Sequence, residues 1–150
     1  MSILALFVYR PGGKRVLGSK AGYGFIVPED ETVAMRRAGK QVMSAGGGAR
    51  FCLPADGDHL AVIGDNGKAL IFLVDELPEM PRGKGVKLQS YREGGLRDGV
   101  VFRADDGAAW IDSAGRTRAW PDWRLWLGRR AAAGRLAPRG FPASKRFRPG

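Results

Sequence analysis

Short apolar runs separated by turn residues fill most of the chain. They lie at 4–9, 14–17, 22–27, 41–43, 60–63, 69–74, 86–91, 100–104 and 108–112. Runs of this length, bounded by glycine, proline and acidic residues, are typical of short strands. Their close spacing predicts a sandwich, a barrel or a propeller-like array.

Two of the intervals carry strong turn signals. Asp65-Asn66-Gly67 and Asp105-Asp106-Gly107 each stand between two apolar runs. Asn-Gly in that position is a strong hairpin signal, because both residues tolerate positive φ. We therefore expect a β-hairpin at each of the two places.

The last thirty residues have a different character. Pro121 and Asp122 suit the first turn of a short helix. Trp123 and Trp126 recur at helical spacing, and Gly134 could cap the C-terminus. Further on, prolines and glycines preclude regular structure. The pattern predicts a short helix followed by an extended tail.

The chain also resembles itself. Gly22 and Gly67, like Met35 and Met80, pair at an offset of 45 residues, and further pairs follow once Ala38 is skipped. A repeat of this length matches one four-stranded blade of a propeller-like fold, with chance similarity as the alternative. The 23 glycines in 150 residues agree with many tight turns.

Charge is distributed unevenly along the chain. The net charge is +10, yet residues 1–114 hold 15 Lys and Arg against 14 Asp and Glu, whereas residues 115–150 hold 10 against one. A basic tail beside a balanced body indicates a nucleic-acid or anionic-surface arm, since each neutralised phosphate releases counterions. A merely solubilising end is the alternative. The single cysteine, Cys52, rules out a disulfide within the chain and fits a reducing compartment.

Two basic loops stand at equivalent places in the repeat, at 35–42 and 80–86. Their glycines let the backbone approach a phosphate, and their arginines and lysines supply charge-assisted hydrogen bonds. Nothing in them suits base reading, so we expect sequence-tolerant phosphate contact, with a solvated basic turn as the alternative. The predicted DNA-binding residues are Arg36, Arg37, Lys40, Arg82, Lys84 and Lys87, supplemented by Arg116, Arg118, Arg129 and Arg130.

Other chemistry finds little support in the sequence. Cys52 and His59 are seven residues apart, but no orienting group or standard ligand spacing accompanies them, which disfavours both catalysis and metal binding. The four tryptophans between residues 110 and 126 could stack on single-stranded bases. Their spacing more often means packing on a neighbouring sheet. No apolar run is long enough to span a membrane.

Several segments closely resemble the C-terminal region of the topoisomerase IV A subunit, in the type IIA topoisomerase family. They lie at 27–31, 39–42, 76–89, 94–96, 112–116 and 134–142, of which 76–89 is the most specific. The resemblance covers essentially the whole chain. It implies a β-pinwheel, in which four-stranded blades exchange hairpins and a basic rim binds and bends duplex DNA.

The resemblance also implies how such DNA would be held. In the related gyrase, the A subunit needs a Gln-Arg-Arg-Gly-Gly-Lys-Gly box for wrapping DNA. Residues 36–40 and 82–85 look like degenerate versions of that box. This departure favours the topoisomerase IV mode, in which the domain engages the transported segment, over gyrase-type wrapping.

Family members are several times longer, and their catalytic tyrosine lies in a core N-terminal to this region. Tyr9, Tyr23 and Tyr91 lie at strand-like positions outside the Arg-Tyr context of that core. No catalytic residue is carried over, and the chain is expected to be inactive alone. No cofactor is expected in it, because ATP and Mg²⁺ would bind elsewhere in the whole enzyme. The expected protein partners are the catalytic A-subunit core and the B subunit.

These features together predict an all-β fold: a partial array of two to three pinwheel blades with a short C-terminal helix and an extended basic tail. We expect a partial pinwheel at 1–128, with repeat units of about 14–58 and 59–112, and a basic tail at 129–150. Two or three blades cannot close a five- or six-bladed ring, so we expect a piece of a longer protein.

The predicted function is duplex DNA binding and bending in support of strand passage, decatenation and relaxation. The whole enzyme would be cytoplasmic and nucleoid-associated. The alternative is a non-catalytic module that docks to the catalytic subunits or another protein through the tryptophan segment.

Overall fold

Strands make up nearly all the regular structure in the computed structural model, which describes residues 13–28, 49–80, 85–91 and 94–148. The strands are β1 (Lys14–Ser19), β2 (Tyr23–Pro28), β3 (Ala49–Pro54), β4 (His59–Gly64), β5 (Lys68–Leu73), β6 (Val86–Lys87), β7 (Leu96–Phe102), β8 (Ala109–Ile111), β9 (Thr117–Ala119) and β10 (Arg135–Leu136). Two short 3-10 helices lie at Val74–Glu76 and Trp123–Trp126. The predicted all-β class is confirmed.

The described strands form two four-stranded sheets and one two-stranded sheet. The first has the order β3-β1-β2-β6, the second β10-β5-β4-β7, and the third pairs β8 with β9. All of these pairings are antiparallel. In both large sheets the strand beside the hairpin's second strand arrives from much further along the chain. That exchange joins neighbouring blades of a β-pinwheel, and the described sheets do not close into a ring.

Three hairpins share one turn geometry. In each, a backbone N–H of a glycine donates to the carbonyl oxygen three residues earlier. The bonds run from Gly22 to Ser19 (2.9 Å), from Gly67 to Gly64 (3.0 Å) and from Gly115 to Asp112 (2.9 Å). The three glycines have φ of 92°, 80° and 81°, the left-handed region that favours glycine. The described part of the chain therefore contains three copies of the hairpin, joining β1 to β2, β4 to β5 and β8 to β9.

Register also repeats beyond the turns. Ile26 on β2 bridges Glu79, and Ile71 on β5 bridges Leu127, both in parallel. The pairing of β1 with β3 and that of β4 with β7 each contain one irregularity, at the last residue before the turn. The internal repeat thus describes real structural equivalence, while its predicted boundaries stay a prediction.

The main core lies between the two large sheets. It contains Val16, Phe51, Leu60, Val62, Leu70, Phe72, Val74, Leu77, Leu88 and Leu96. Because β4 is buried on both faces, its other side chains, Ala61 and Ile63, point to a second cluster. Six rings cover that face, and we term them the aromatic cap: Trp110, Trp120, Trp123, Trp126, Phe141 and Phe147.

The structure confirms one predicted hairpin and corrects the other. β4 and β5 flank Asp65-Asn66-Gly67 as expected, but only Gly67 of these three residues has positive φ. A hairpin across Asp105-Asp106-Gly107 is wrong, because β7 pairs with β4 and β8 pairs with β9. The turn there carries the chain from the second sheet to the third.

Other runs differ in extent from their predictions. Those at 4–9 and 41–43 lie outside the described residues. The run at 86–91 is a strand only at Val86–Lys87. Strands β3, β9 and β10 were missed, because β3 holds an arginine and a proline, while β9 and β10 are two or three residues long and exposed.

The predicted C-terminal helix is shorter than expected and consists of a single 3-10 turn at Trp123–Trp126. It ends there because Gly128 donates its backbone N–H to the Ile71 carbonyl (2.9 Å), which holds this segment extended beside β5. The expected irregular tail is present, but it packs on the second sheet and leaves Phe147 only 2% exposed. No helix in the described segments is long and apolar enough to cross a membrane.

Candidate nucleic-acid interface

The ten predicted contact residues separate into three groups. Arg36, Arg37, Lys40, Arg82 and Lys84 lie outside the described residues. Lys87, Arg129 and Arg130 lie together near β6, whereas Arg116 and Arg118 lie together on the β8–β9 hairpin. No contact joins the second group to the third among the described residues.

Residues 128–134, here termed the third loop, end at Gly134, which is the structural counterpart of Gly85 immediately before β6. Gly85 and Gly134 both have φ of 81°. Both glycines press against the second strand of the preceding hairpin, where a Cβ atom would clash with the carbonyl oxygen of Gly24 or Ala69. Arg129 and Arg130 thus lie in a loop whose final glycine is fixed against a strand, as Gly85 is.

Arg130 ties the third loop to β6. Its guanidinium donates to the Lys87 carbonyl (2.7 Å), and its backbone N–H donates to the Glu76 carboxylate (3.1 Å). The next residue, Ala131, donates its N–H to the Leu88 carbonyl (2.9 Å). The loop therefore runs along β6, the closing strand of the first sheet, which brings Arg130 to Lys87.

Two cations at this place are available for a ligand. The side chains of Lys87 and Arg129 are exposed and make no hydrogen bond or ion pair in the described part of the chain. Nearby, Arg135 lies 5.3 Å from the centre of the Trp126 ring. We define Lys87, Arg129 and Arg130 as the basic strip.

Gln89 supports the basic strip from below and was not identified from the sequence. It is fully buried, and its Nε2 donates to the carbonyls of Lys68 and Ala133, both at 2.9 Å. Ser90 adds a hydrogen bond from its hydroxyl to the Ala131 carbonyl (2.7 Å). A buried amide that bonds both β5 and the third loop holds the loop in one position.

The β8–β9 hairpin carries the third group of predicted residues. Oδ2 of Asp112 accepts hydrogen bonds from Nε of Arg116 (3.2 Å) and Nε of Arg118 (3.0 Å). Its Oδ1 accepts the backbone N–H groups of Ala114 (3.0 Å) and Arg116 (2.9 Å). The backbone hydrogen bond from Arg116, with help from the Arg118 guanidinium, lowers the pKa of Asp112 below its ordinary value.

The tryptophans pack rather than present a surface. Trp110, Trp120 and Trp123 are 4%, 2% and 6% exposed, so their rings cannot stack on bases. Packing on a neighbouring sheet, the more ordinary of the two expectations, is confirmed. Trp126 is half-buried and donates its Nε1–H to the Leu136 carbonyl (3.0 Å).

His59 and Cys52 have separate surroundings. The His59 ring bonds Asp58 through Nδ1 (2.7 Å) and lies against Phe102 and Trp123, with centroids 5.5 Å and 5.1 Å away. Cys52 lies on β3 opposite Leu17. No group of three potential metal ligands occurs within the ranges that the structure describes.

Comparisons with known proteins agree with this geometry. The family described as "DNA gyrase C-terminal domain, beta-propeller" matches residues 16–50 and 58–102, more than half of the chain. The chain therefore belongs to this family.

Individual relatives show which member of the family the chain resembles. The A subunit of DNA topoisomerase 4 from Caulobacter vibrioides is 63% identical over 150 residues, which are 99% of this chain and 20% of that protein. The protein of the same name from Rickettsia bellii is 39% identical over 147 residues, 97% of this chain and again 20% of that protein. The expected resemblance to the C-terminal region of the topoisomerase IV A subunit is confirmed. The chain spans about a fifth of the length of these relatives.

A solved structure shows the same fold. The E. coli ParC C-terminal domain superimposes with a TM-score of 0.74 at 25% identity, covering 91% of this chain and 60% of that one. A second solved structure, of the C-terminal domain of DNA topoisomerase IV, gives a TM-score of 0.66 at 17% identity. The predicted pinwheel architecture is confirmed.

Proposed function

We propose that this chain is the duplex DNA-binding module of a topoisomerase IV A subunit. It holds the sugar-phosphate backbone along the basic strip and bends the duplex. Bending supports strand passage, decatenation and relaxation by the whole enzyme.

The observation that carries this proposal is the hydrogen bond from Arg130 to the Lys87 carbonyl. It joins the third loop to β6, so that cations from neighbouring blades form one strip instead of separate patches. Phosphates recur along a duplex, and a protein surface with recurring cations binds them without reading bases. The absence of a base-reading element among the described residues fits that mode.

The rest of the reaction would lie outside this chain. The expected partners are the catalytic A-subunit core and the B subunit, where ATP and Mg²⁺ would bind. Such an enzyme works in the cytoplasm on the nucleoid.

The experiment is a salt titration of duplex binding by the full chain, read by fluorescence anisotropy with two unrelated duplex sequences. We expect the logarithm of the association constant to fall linearly with the logarithm of salt concentration, equally for both sequences. The double variant Arg129→Ala, Arg130→Ala should weaken both duplexes alike and lower the salt slope by about 1 to 2. No binding at low salt would refute the proposal, as would affinity that persists at high salt.

The matched control is Arg103→Ala. Arg103 is also exposed, but its neighbours in sequence include Asp105 and Asp106, which would repel a phosphate. Its substitution should leave affinity close to that of the unmodified chain. Bending is measured separately with a duplex labelled at both ends, in which energy transfer should increase on binding.

The alternative docking function was expected to use Trp123 and Trp126. That surface is not available as expected, since Trp123 is only 6% exposed. The apolar surface that remains in this segment for docking is that of Leu125 and Leu127, which are 58% and 43% exposed.

A further inference from the structure

The third hairpin departs from the first two at Asp112 and Arg118. Asp112, Arg116 and Arg118, here termed the arginine clamp, are joined by hydrogen bonds to a single carboxylate. The clamp lies at the tip of the hairpin, and each of its residues has an equivalent at the same distance from the turn glycine in the other two hairpins.

The turn does not need the carboxylate. Asp112 is equivalent to Ser19 in the first turn and Gly64 in the second. All three turns close with the same backbone hydrogen bond, although serine and glycine supply no charge. In the first turn Ser19 Oγ accepts the Tyr23 backbone N–H (3.2 Å), just as Oδ1 of Asp112 accepts that of Arg116. The turn therefore accounts for Oδ1, and the second oxygen, Oδ2, is the one that serves the arginines.

Arg118 also replaces residues of another kind. Three positions after the turn glycine, the first two hairpins have Phe25 and Leu70, which are 0% and 2% exposed in the interior. The third hairpin has Arg118 there, with half of its side chain (51%) exposed. Arg116, one position after the turn glycine, is 67% exposed. At the Arg118 position the third hairpin thus directs charge into solvent, whereas the others direct apolar groups into the core. The Arg116 position already holds a cation, Lys68, in the second hairpin.

The geometry leaves a ligand position open. Both arginines use Nε to bond Asp112, so the terminal nitrogens of both guanidinium groups remain free for another anion. Such forked donors suit a tetrahedral phosphate that accepts two bonds from each. Gly115 at the tip has no atom within 4 Å of the position that a Cβ would occupy, so access is open.

We propose that the arginine clamp is a second phosphate-binding site, separate from the basic strip, whose ligand is a phosphodiester of duplex DNA. Asp112 is its positioning residue: it aligns two guanidinium groups that would otherwise repel each other and sample many rotamers. This inference rests on the proposed function, because it names a further contact of the same duplex.

A variant that separates charge from geometry tests the clamp sharply. If only net charge matters, Asp112→Asn adds positive charge and tightens duplex binding. If Asp112 positions the arginines, the same variant weakens binding, and we expect a loss of about threefold to tenfold, of the size of one charge-assisted contact. Asn keeps an oxygen that accepts the two backbone N–H groups, so the turn is expected to stay closed.

The double variant Arg116→Lys, Arg118→Lys keeps the charge but removes the forked donors. It should weaken binding by a similar factor, and it leaves the turn carboxylate in place if Asp112→Asn proves to unfold the hairpin. Arg103→Lys is the control for the chemical change itself and should have no effect. Circular dichroism of each variant verifies the fold.

Nuclear magnetic resonance of the arginine Nε–H groups identifies the ligand. Adding duplex should shift the signals of both Arg116 and Arg118 in the unmodified chain. Inorganic phosphate at the same ionic strength should shift them only at far higher concentration. Equal response to inorganic phosphate would overturn the assignment to duplex DNA.

The outcomes separate the two proposals. If the unmodified chain binds no duplex, the proposed function itself fails. If it binds duplex and responds to Arg129→Ala, Arg130→Ala, but Asp112→Asn binds equally or more tightly, the clamp alone is refuted. Weakening by both sets of variants supports both sites.

Discussion

The first two hairpins and the third share a backbone plan but differ in their surroundings. β1–β2 and β4–β5 belong to four-stranded sheets, whereas β8–β9 forms a sheet of its own. All three turns retain the same hydrogen bond and a glycine with positive φ. The comparison shows that backbone geometry defines the repeat, while side chains can specialise for a core or for solvent.

The two faces of the second sheet differ in the same way. The face toward the first sheet is covered mainly by aliphatic side chains, and the opposite face is covered by the aromatic cap. On this opposite face the large rings of the cap cover the second sheet, where no further four-stranded sheet packs among the described residues. Two polar groups in the cap reduce its contribution to stability, because Nε1 of Trp110 and of Trp120 is buried without a hydrogen-bond partner among the described residues.

The largest effect is expected from truncating equivalent aromatic residues on the two faces. Phe72 and Trp120 both stand five positions after the turn glycine and are 1% and 2% exposed. Each change to alanine should lower the free energy of unfolding by about 3 to 5 kcal/mol. Urea unfolding, followed by far-ultraviolet circular dichroism and by tryptophan fluorescence, measures this loss.

The two probes distinguish the faces. Phe72→Ala should shift both transitions together, because it opens the core between the large sheets. Trp120 lies among the cap rings, with centroids 5.2 to 6.4 Å away, so Trp120→Ala should shift the fluorescence transition more. Identical behaviour of the two variants would show that cap and core unfold as one unit.

A smaller effect is expected from two glycines with the same φ. Gly134 and Gly115 both have φ of 81°, but only Gly134 would place a Cβ against a backbone carbonyl, that of Ala69. Gly115→Ala should cost about 1 to 2 kcal/mol for the left-handed conformation alone. Gly134→Ala should cost about 1 to 3 kcal/mol more, from the steric conflict. Equal melting temperatures for the two variants would mean that the third loop shifts easily and does not hold a fixed position.

Much of the fold could be predicted from the sequence because its strands are apolar and its turns are marked. β4 and β5, with Gly67 between them, have all the local signals of a hairpin. The pairing of β7 with β4 could not be predicted, since a non-local partner competes with the local turn at Asp105-Asp106-Gly107. β10 has only two exposed residues and exists because it pairs with β5.

The candidate site was predicted in part for a similar reason. Charge and glycine identified Arg129, Arg130 and Lys87, but not their contact, which depends on strand exchange between sheets. Gln89 carries no charge and stands in no local pattern, so its support of the third loop could not be predicted. A third copy of the hairpin was detectable, because Gly115 stands 48 residues after Gly67.

The smallest effect concerns two carboxylates with opposite pKa shifts. Asp98 on β7 accepts the Phe147 backbone N–H (2.8 Å) beneath the aromatic cap, and burial raises its pKa above the ordinary value despite that bond. A raised pKa means that the folded chain binds this proton more tightly, so the contribution to stability is present at low pH and is lost as pH rises through the folded value. Asp98→Asn keeps an acceptor for Phe147 and should change stability at pH 7 by no more than about 1 kcal/mol.

Asp112 on the third hairpin should change stability with pH in the opposite direction. Its pKa is lowered, so its contribution is present above the ordinary value and is lost as pH falls through the folded value. Thermal unfolding should therefore be measured from pH 3 to pH 7. As pH rises, the stability of Asp98→Asn should increase relative to that of the unmodified chain, and the stability of Asp112→Asn should decrease relative to it. If Asp98→Asn instead loses stability as pH rises, the ionised Asp98 is stabilised by Arg146 and Arg148, and attraction to the basic C-terminal segment outweighs burial beneath the cap.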